Sequence, residues 1–82
     1  MIGIKDMKKI INIKDEFIKL GQALKLAGEA DTGVDAKYLI EDGNIKVNGE
    51  VETRRGRKLY NGDVFSVNDT EITVVSKAAG VI

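Results

Sequence analysis

The sequence predicts an α+β domain in which two short helices pack on one side of a small, mostly antiparallel twisted sheet. Three observations lead to it. A β-branched run lies at Lys8–Ile13, apolar residues recur at helical spacing between Leu20 and Ile40, and after Gly43 the apolar pattern changes to period two. No internal repeat or low-complexity linker interrupts this order, so strand, helix, helix and then three or four short strands form one unit.

Each element has a local cause. Lys8-Lys9-Ile10-Ile11-Asn12-Ile13 is short and β-branched, which favours a strand over a helix, and Met1–Met7 is read as a frayed lead-in. Lys14-Asp15-Glu16 turns the chain, and Phe17-Ile18-Lys19 makes a short extended piece. Leu20, Ala23, Leu24 and Ala27 share one helical face and Gly28 supplies a stop, so a helix is expected over about Leu20–Ala27, with Leu26 on its far side. Thr32, three residues before Asp35, resembles a capping box for a second helix over about Gly33–Asp42; Ala36, Leu39 and Ile40 form its core face. Ile45 and Val47 alternate with Asn44, Lys46 and Asn48, and Asn48-Gly49 is a tight-turn pair that returns the chain into Glu50-Val51-Glu52 as a hairpin. Asn61-Gly62 leads into Val64–Val67, and Asn68-Asp69 turns that strand into Glu71–Val75. The small-residue tail Ser76–Ile82 is expected to be mobile.

Composition limits the function. The chain has 82 residues, 43% hydrophobic and 32% charged. A domain of this size buries only about 60% of its unfolded surface, so a walled catalytic cavity would consume core that it needs. With no Cys and no His, thiolate and Ser-His-Asp chemistry and the usual zinc ligands are excluded. A binding module is therefore favoured over an enzyme, with no cofactor and no metal. Lys5, Asp6, Lys8 and Lys9 break the apolar character of Met1–Ile13, so neither a membrane span nor a signal-peptide core is read there, and a cytoplasmic protein without a membrane partner is expected.

The 13 basic and 13 acidic residues cancel, but their distribution does not. Arg54-Arg55-Gly56-Arg57-Lys58 holds four cations in five residues, while acids gather elsewhere, at Glu41-Asp42 and at Glu50 and Glu52. A neutral chain of this kind can carry one strongly positive face.

The segment Lys19-Leu20-Gly21-Gln22-Ala23-Leu24 through Ala36-Lys37-Tyr38-Leu39-Ile40-Glu41-Asp42-Gly43-Asn44-Ile45-Lys46-Val47-Asn48-Gly49 resembles the S4 RNA-binding domain. Val51 and the Gly62-Asp63 pair before an apolar strand continue the likeness, which runs from about Lys19 to Val67. Thr53 to Tyr60 is similar to the small stand-alone bacterial S4 proteins of the YaaA and YbcJ type. Two positions depart: Gly21 stands where Asp is usual, and Gly33 where Arg often follows the cap, so the contacts of those positions do not carry over. The resemblance implies an RNA-binding unit over about residues 17–75 that presents its helices and hairpin to structured RNA, with ribosome assembly or association as the setting. It also implies no catalytic activity, since that belongs to separate domains of the larger relatives.

The candidate contacts follow from both readings. Arg54, Arg55, Arg57 and Lys58 form a basic loop in which Gly56 lets the backbone approach a phosphate, and guanidinium groups offer bidentate contacts. Lys19, Lys25, Lys37 and Lys46 extend this set, with Lys37 and Lys46 ranked ahead of the other two. Thr32 is first a helix cap and Asn48 first a turn residue, each with a secondary role toward phosphate or ribose. Tyr38 and Tyr60 are divided between packing and stacking on an unpaired base, and Asp63 is read as a turn former rather than a metal ligand. The expected partner is structured RNA, ribosomal RNA or a ribosomal subunit, bound by a monomer. The alternative is a protein-interaction adaptor that uses a strand edge or an apolar patch at Leu26 and Val34. A DNA-binding helix-turn-helix fits poorly, because the second helix is needed against the sheet.

Overall fold

In the computed structural model, which describes residues 7–78, the chain runs β1 (Met7–Ile13), β2 (Phe17–Lys19), α1 (Leu20–Leu26), α2 (Gly33–Glu41), β3 (Ile45–Val47), β4 (Glu50–Val51), β5 (Lys58–Tyr60), β6 (Val64–Val67) and β7 (Thr70–Ser76). Five strands form one sheet in the order β1-β7-β6-β3-β4, and β2 pairs with β5 in a separate two-stranded ribbon. Only β1 and β7 run parallel; the other four pairings are antiparallel. This is the α+β architecture that the change of period predicts.

The alternation along the strands sorts the two faces of the sheet. Ile11, Ile13, Ile45, Val47, Phe65, Val67, Ile72 and Val74 point to one face and are buried against Leu20, Ala23 and Leu24 of α1, Ala36 and Ile40 of α2, and Leu59 of the ribbon. Burial of each large aliphatic or aromatic side chain contributes about 1.5–3 kcal/mol, so this single cluster dominates stability. Leu39, expected in the core, is only partly buried at its edge.

Local chemistry fixes the ends. Thr32 is the N-cap of α2, its hydroxyl accepting from the Asp35 N–H at 3.1 Å. Lys9 crosses from β1 to the end of α1, donating to the Ala27 carbonyl at 3.0 Å and to Glu29 at 2.8 Å. Val47 lies opposite Glu50, so β3 and β4 are joined by two residues, Asn48 at φ 51° and Gly49 at φ 90°. Positive φ at both positions is what a type I′ hairpin requires.

Four expectations change. Each helix ends one residue early, because Ala27 and Asp42 are caps. Met7 belongs to β1, while residues 1–6 of the lead-in lie outside the described part. β5 was not anticipated: Lys58 leaves the basic loop and starts a strand. Ser76 closes β7, buried, with its N–H on Asn61 and its hydroxyl donating to the Asp15 carbonyl, so no tail begins there; residues 79–82 lie outside the described part.

Candidate nucleic-acid interface

The basic segment is held in place by three independent attachments. Its first is backbone: the Arg57 and Arg55 carbonyls accept from the N–H groups of Leu20 and Gly21 at 2.8 and 3.1 Å. These are two of the orphan donors at the start of α1, which has no side-chain cap, so the segment itself caps the helix. The approach is close. A Cβ on Gly21 would stand 3.0 Å from Arg55 Cγ, so a larger residue at this position would crowd the Arg55 side chain.

The second attachment is Glu52. Its side chain is 8% exposed and takes Arg54 Nε and Nη2 at 2.9 and 3.1 Å, Arg57 Nη1 at 2.7 Å and the Arg54 N–H at 3.0 Å. The Arg54 and then the Arg57 hydrogen bonds hold its carboxyl at about 2, against a burial effect in the opposite direction, and Glu52 in turn raises the pKa of Arg54. The run of cations is therefore not acid-free in space. Arg54 and Arg57 are tied to one carboxylate, at 73% and 33% side-chain exposure, whereas Arg55 has no ion-pair partner among the described residues. The third attachment is the β2–β5 ribbon, where Lys58 lies opposite Lys19.

Between this segment and the helices lies an open groove of about 320 Å³ lined by Lys19, Gly21, Gln22, Lys25, Gly33, Ala36, Arg55 and Gly56. Three cations and no acid face it. Gly33 places the start of α2 on the groove wall, where Asp35 in the first turn offsets part of that helix's positive end from the side of the other hollow. Glycine at positions 33 and 56, with open space where a Cβ would stand, leaves backbone accessible on its walls, whereas Gly21 is covered by Arg55.

The other candidates fall differently. Lys37, half-buried, lies one turn beyond Gly33 on α2. Lys46 is exposed between Ser66 and Val51 on the outer face of the sheet, away from the helices, so it does not share the groove. It is Lys19 and Lys25, ranked behind those two, that stand beside Arg55. Thr32 is occupied as a cap, and the Asn48 amide joins two turns, donating to Asp63 at 3.2 Å and accepting from the Val64 N–H at 3.0 Å. Asp63 also accepts from the Tyr60 N–H at 2.7 Å, a turn-forming role. Leu26, Val34 and Tyr38 are exposed.

Glu52 was the residue missed, and a signal for it exists. The two-residue Asn48-Gly49 turn sets Val47 opposite Glu50, and the Glu52 N–H bonds the Ile45 carbonyl at 2.9 Å. That register turns Glu52 to the same side as the buried Ile45, where a carboxylate requires cations, and Arg54 and Arg57 follow directly.

Comparison with known proteins identifies the family and the fold. Residues 11–75 match the S4 domain family. A protein of Bacillus subtilis (strain 168) named "Probable ribosome maturation protein RlbA" is 46% identical over 61 residues, 74% of this chain and 86% of its own length. YbcJ of Escherichia coli (strain K12) is 36% identical over 63 residues, 77% of this chain and 90% of its own. The solution structure of YbcJ, described as revealing an alfaL motif involved in RNA-binding, superposes with a TM-score of 0.61 at 32% identity, covering 92% of this chain and 96% of that one.

Proposed function

The chain belongs to the S4 domain family, and from that premise we propose that it is a non-catalytic module that grips structured RNA, ribosomal RNA in particular, through its phosphates. The observation that carries the reading is the groove in which Lys19, Lys25 and Arg55 meet the start of α2 with no acid on its walls. Relatives named for ribosome maturation and for RNA binding support the same direction, and ribosome assembly or association in the cytoplasm is the setting it fits.

Mechanism follows from shape and charge. A-form RNA hides its bases in a deep, narrow major groove, so a small protein reads backbone spacing instead. Arg55 supplies a planar fork for two phosphate oxygens, Lys19 and Lys25 supply point charges, and Gly56 and Gly33 admit the backbone to close range. Arg54 and Arg57 act mainly on structure: tied to Glu52, they hold the segment in one shape, so little ordering remains to be done at binding. Arg54 and Lys58, both exposed, add outer phosphate contacts, and Lys37 extends the track along α2. The protein acts as a monomer.

Fluorescence anisotropy with a ribosomal RNA stem-loop and a DNA duplex of equal length tests this. The expected result is RNA-preferring binding whose logarithm falls with the logarithm of salt by roughly 0.7 to 0.9 for each phosphate engaged. Absence of binding to RNA at low salt, or affinity that ignores salt, contradicts it.

A further inference from the structure

We infer that the β2–β5 ribbon is a seat for one unpaired nucleotide of the bound RNA, its base stacked on Tyr60 and its phosphate held between Lys19 and Lys58; this rests on the RNA-binding reading above and adds a specificity to it. The ribbon has two faces. Ile18 opposite Leu59 turns inward, and Leu59 is fully buried. Phe17 opposite Tyr60 and Lys19 opposite Lys58 turn outward.

That outward face gathers positive charge beside an aromatic pair. Like charges directly opposite each other on paired strands repel, and neither lysine has an ion-pair partner among the described residues. Lys58 Nζ instead lies 4.7 Å from the Phe17 ring centroid, a cation–π contact that offsets part of that repulsion. A phosphate between the two ammonium groups would convert the repulsion into attraction.

The aromatics point the same way. The chain has two Phe and two Tyr, and only Phe65 is fully buried. Phe17 and Tyr60 stand together on the ribbon, centroids 5.8 Å apart and tilted by 50°, with Tyr60 46% exposed. Asp63 fixes the backbone of Tyr60, accepting from its N–H at 2.7 Å while the Asp63 N–H donates to the Tyr60 carbonyl at 2.9 Å. Lys19 lines the phosphate groove as well as the ribbon, so the seat adjoins the grip. A paired base within a helix offers no free face, so the occupant is a bulged or looped-out nucleotide.

The test uses two blunt RNA duplexes, identical except that one carries a single bulged 2-aminopurine, titrated with the intact protein. The expected result is binding to the bulged duplex about tenfold tighter, the scale of one base–aromatic stack, with quenching of the 2-aminopurine. Tyr60→Leu should lose the preference and the quenching while binding the plain duplex as the parent does, and Lys58→Gln should reduce the preference. Equal affinity of the parent protein for both duplexes, or a preference without quenching, overturns the seat while leaving the phosphate grip intact. Failure to bind either duplex at low salt removes the grip and the seat together.

Discussion

Two hollows flank the helix pair, and they carry opposite charge. The groove between α1, the start of α2 and the basic segment is lined by Lys19, Lys25 and Arg55 with no acid. The other hollow is lined by Glu29, Asp31, Asp35 and Asp42, of which Glu29 is paired with Lys9 from outside the lining, around Gly28, Ala30, Tyr38 and Leu39. The sum over the chain is zero, so net charge conceals the property that selects a polyanion. A molecule polarised in this way is oriented as it approaches RNA, its acidic side turned away.

The strongest way to break this comparison is to invert one hollow. Lys19→Glu, Lys25→Glu and Arg55→Glu together should lower RNA affinity at least about a hundredfold at moderate salt, while Asp31→Asn with Asp42→Asn should leave it unchanged or slightly tighter. Anisotropy measures both, with circular dichroism to confirm the fold.

Next in size is Glu52→Gln, which leaves Arg54 and Arg57 without their carboxylate. Both arginines reach solvent, so the loss in stability is about 1–2 kcal/mol, or several degrees in Tm at pH 7. The pH dependence has a definite sign. A carboxyl lowered from 4.5 to about 2 contributes stability that is fully present above pH 4.5 and lost as pH falls through about 2. Melting curves at pH 7 and pH 3 should therefore show a smaller difference between parent and variant at the lower pH.

Thr32→Ala removes the cap of α2 at a cost of about 1 kcal/mol, read by denaturant unfolding. Gly21→Ala has the smallest effect on stability, because the helix-propensity gain offsets a crowded Arg55 Cγ at 3.0 Å. Its displacement of Arg55 should still weaken RNA binding a few-fold, about 0.5–1 kcal/mol on the affinity scale, without a change in Tm.

The sequence made the helices and the β3–β4 hairpin legible because their causes are local. Leu20, Ala23 and Leu24 share a helical face, Thr32 caps by its own backbone neighbour, and Asn48-Gly49 carries its own turn geometry. β5 was hidden because Lys58-Leu59-Tyr60 continues a run of cations, and only a partner about forty positions earlier, Phe17-Ile18-Lys19, makes it a strand. The parallel alignment of β1 with β7 is equally non-local. For the site, residue type was readable and division of labour was not. Arg54, Arg55 and Arg57 look equivalent in the chain, and only the inward turn of Glu52 separates the two that hold the segment from the one that faces the groove.

The central claim, that phosphates are gripped in the basic groove and not across the whole surface, is tested most directly by following backbone amide resonances during titration with an RNA stem-loop. The account predicts shifts concentrated at residues 19–25, 33–37 and 54–60, with residues 28–31 and the outer-face Lys46 unmoved. Shifts centred on Lys46 and the outer face of the sheet, or spread evenly over every lysine, would contradict it.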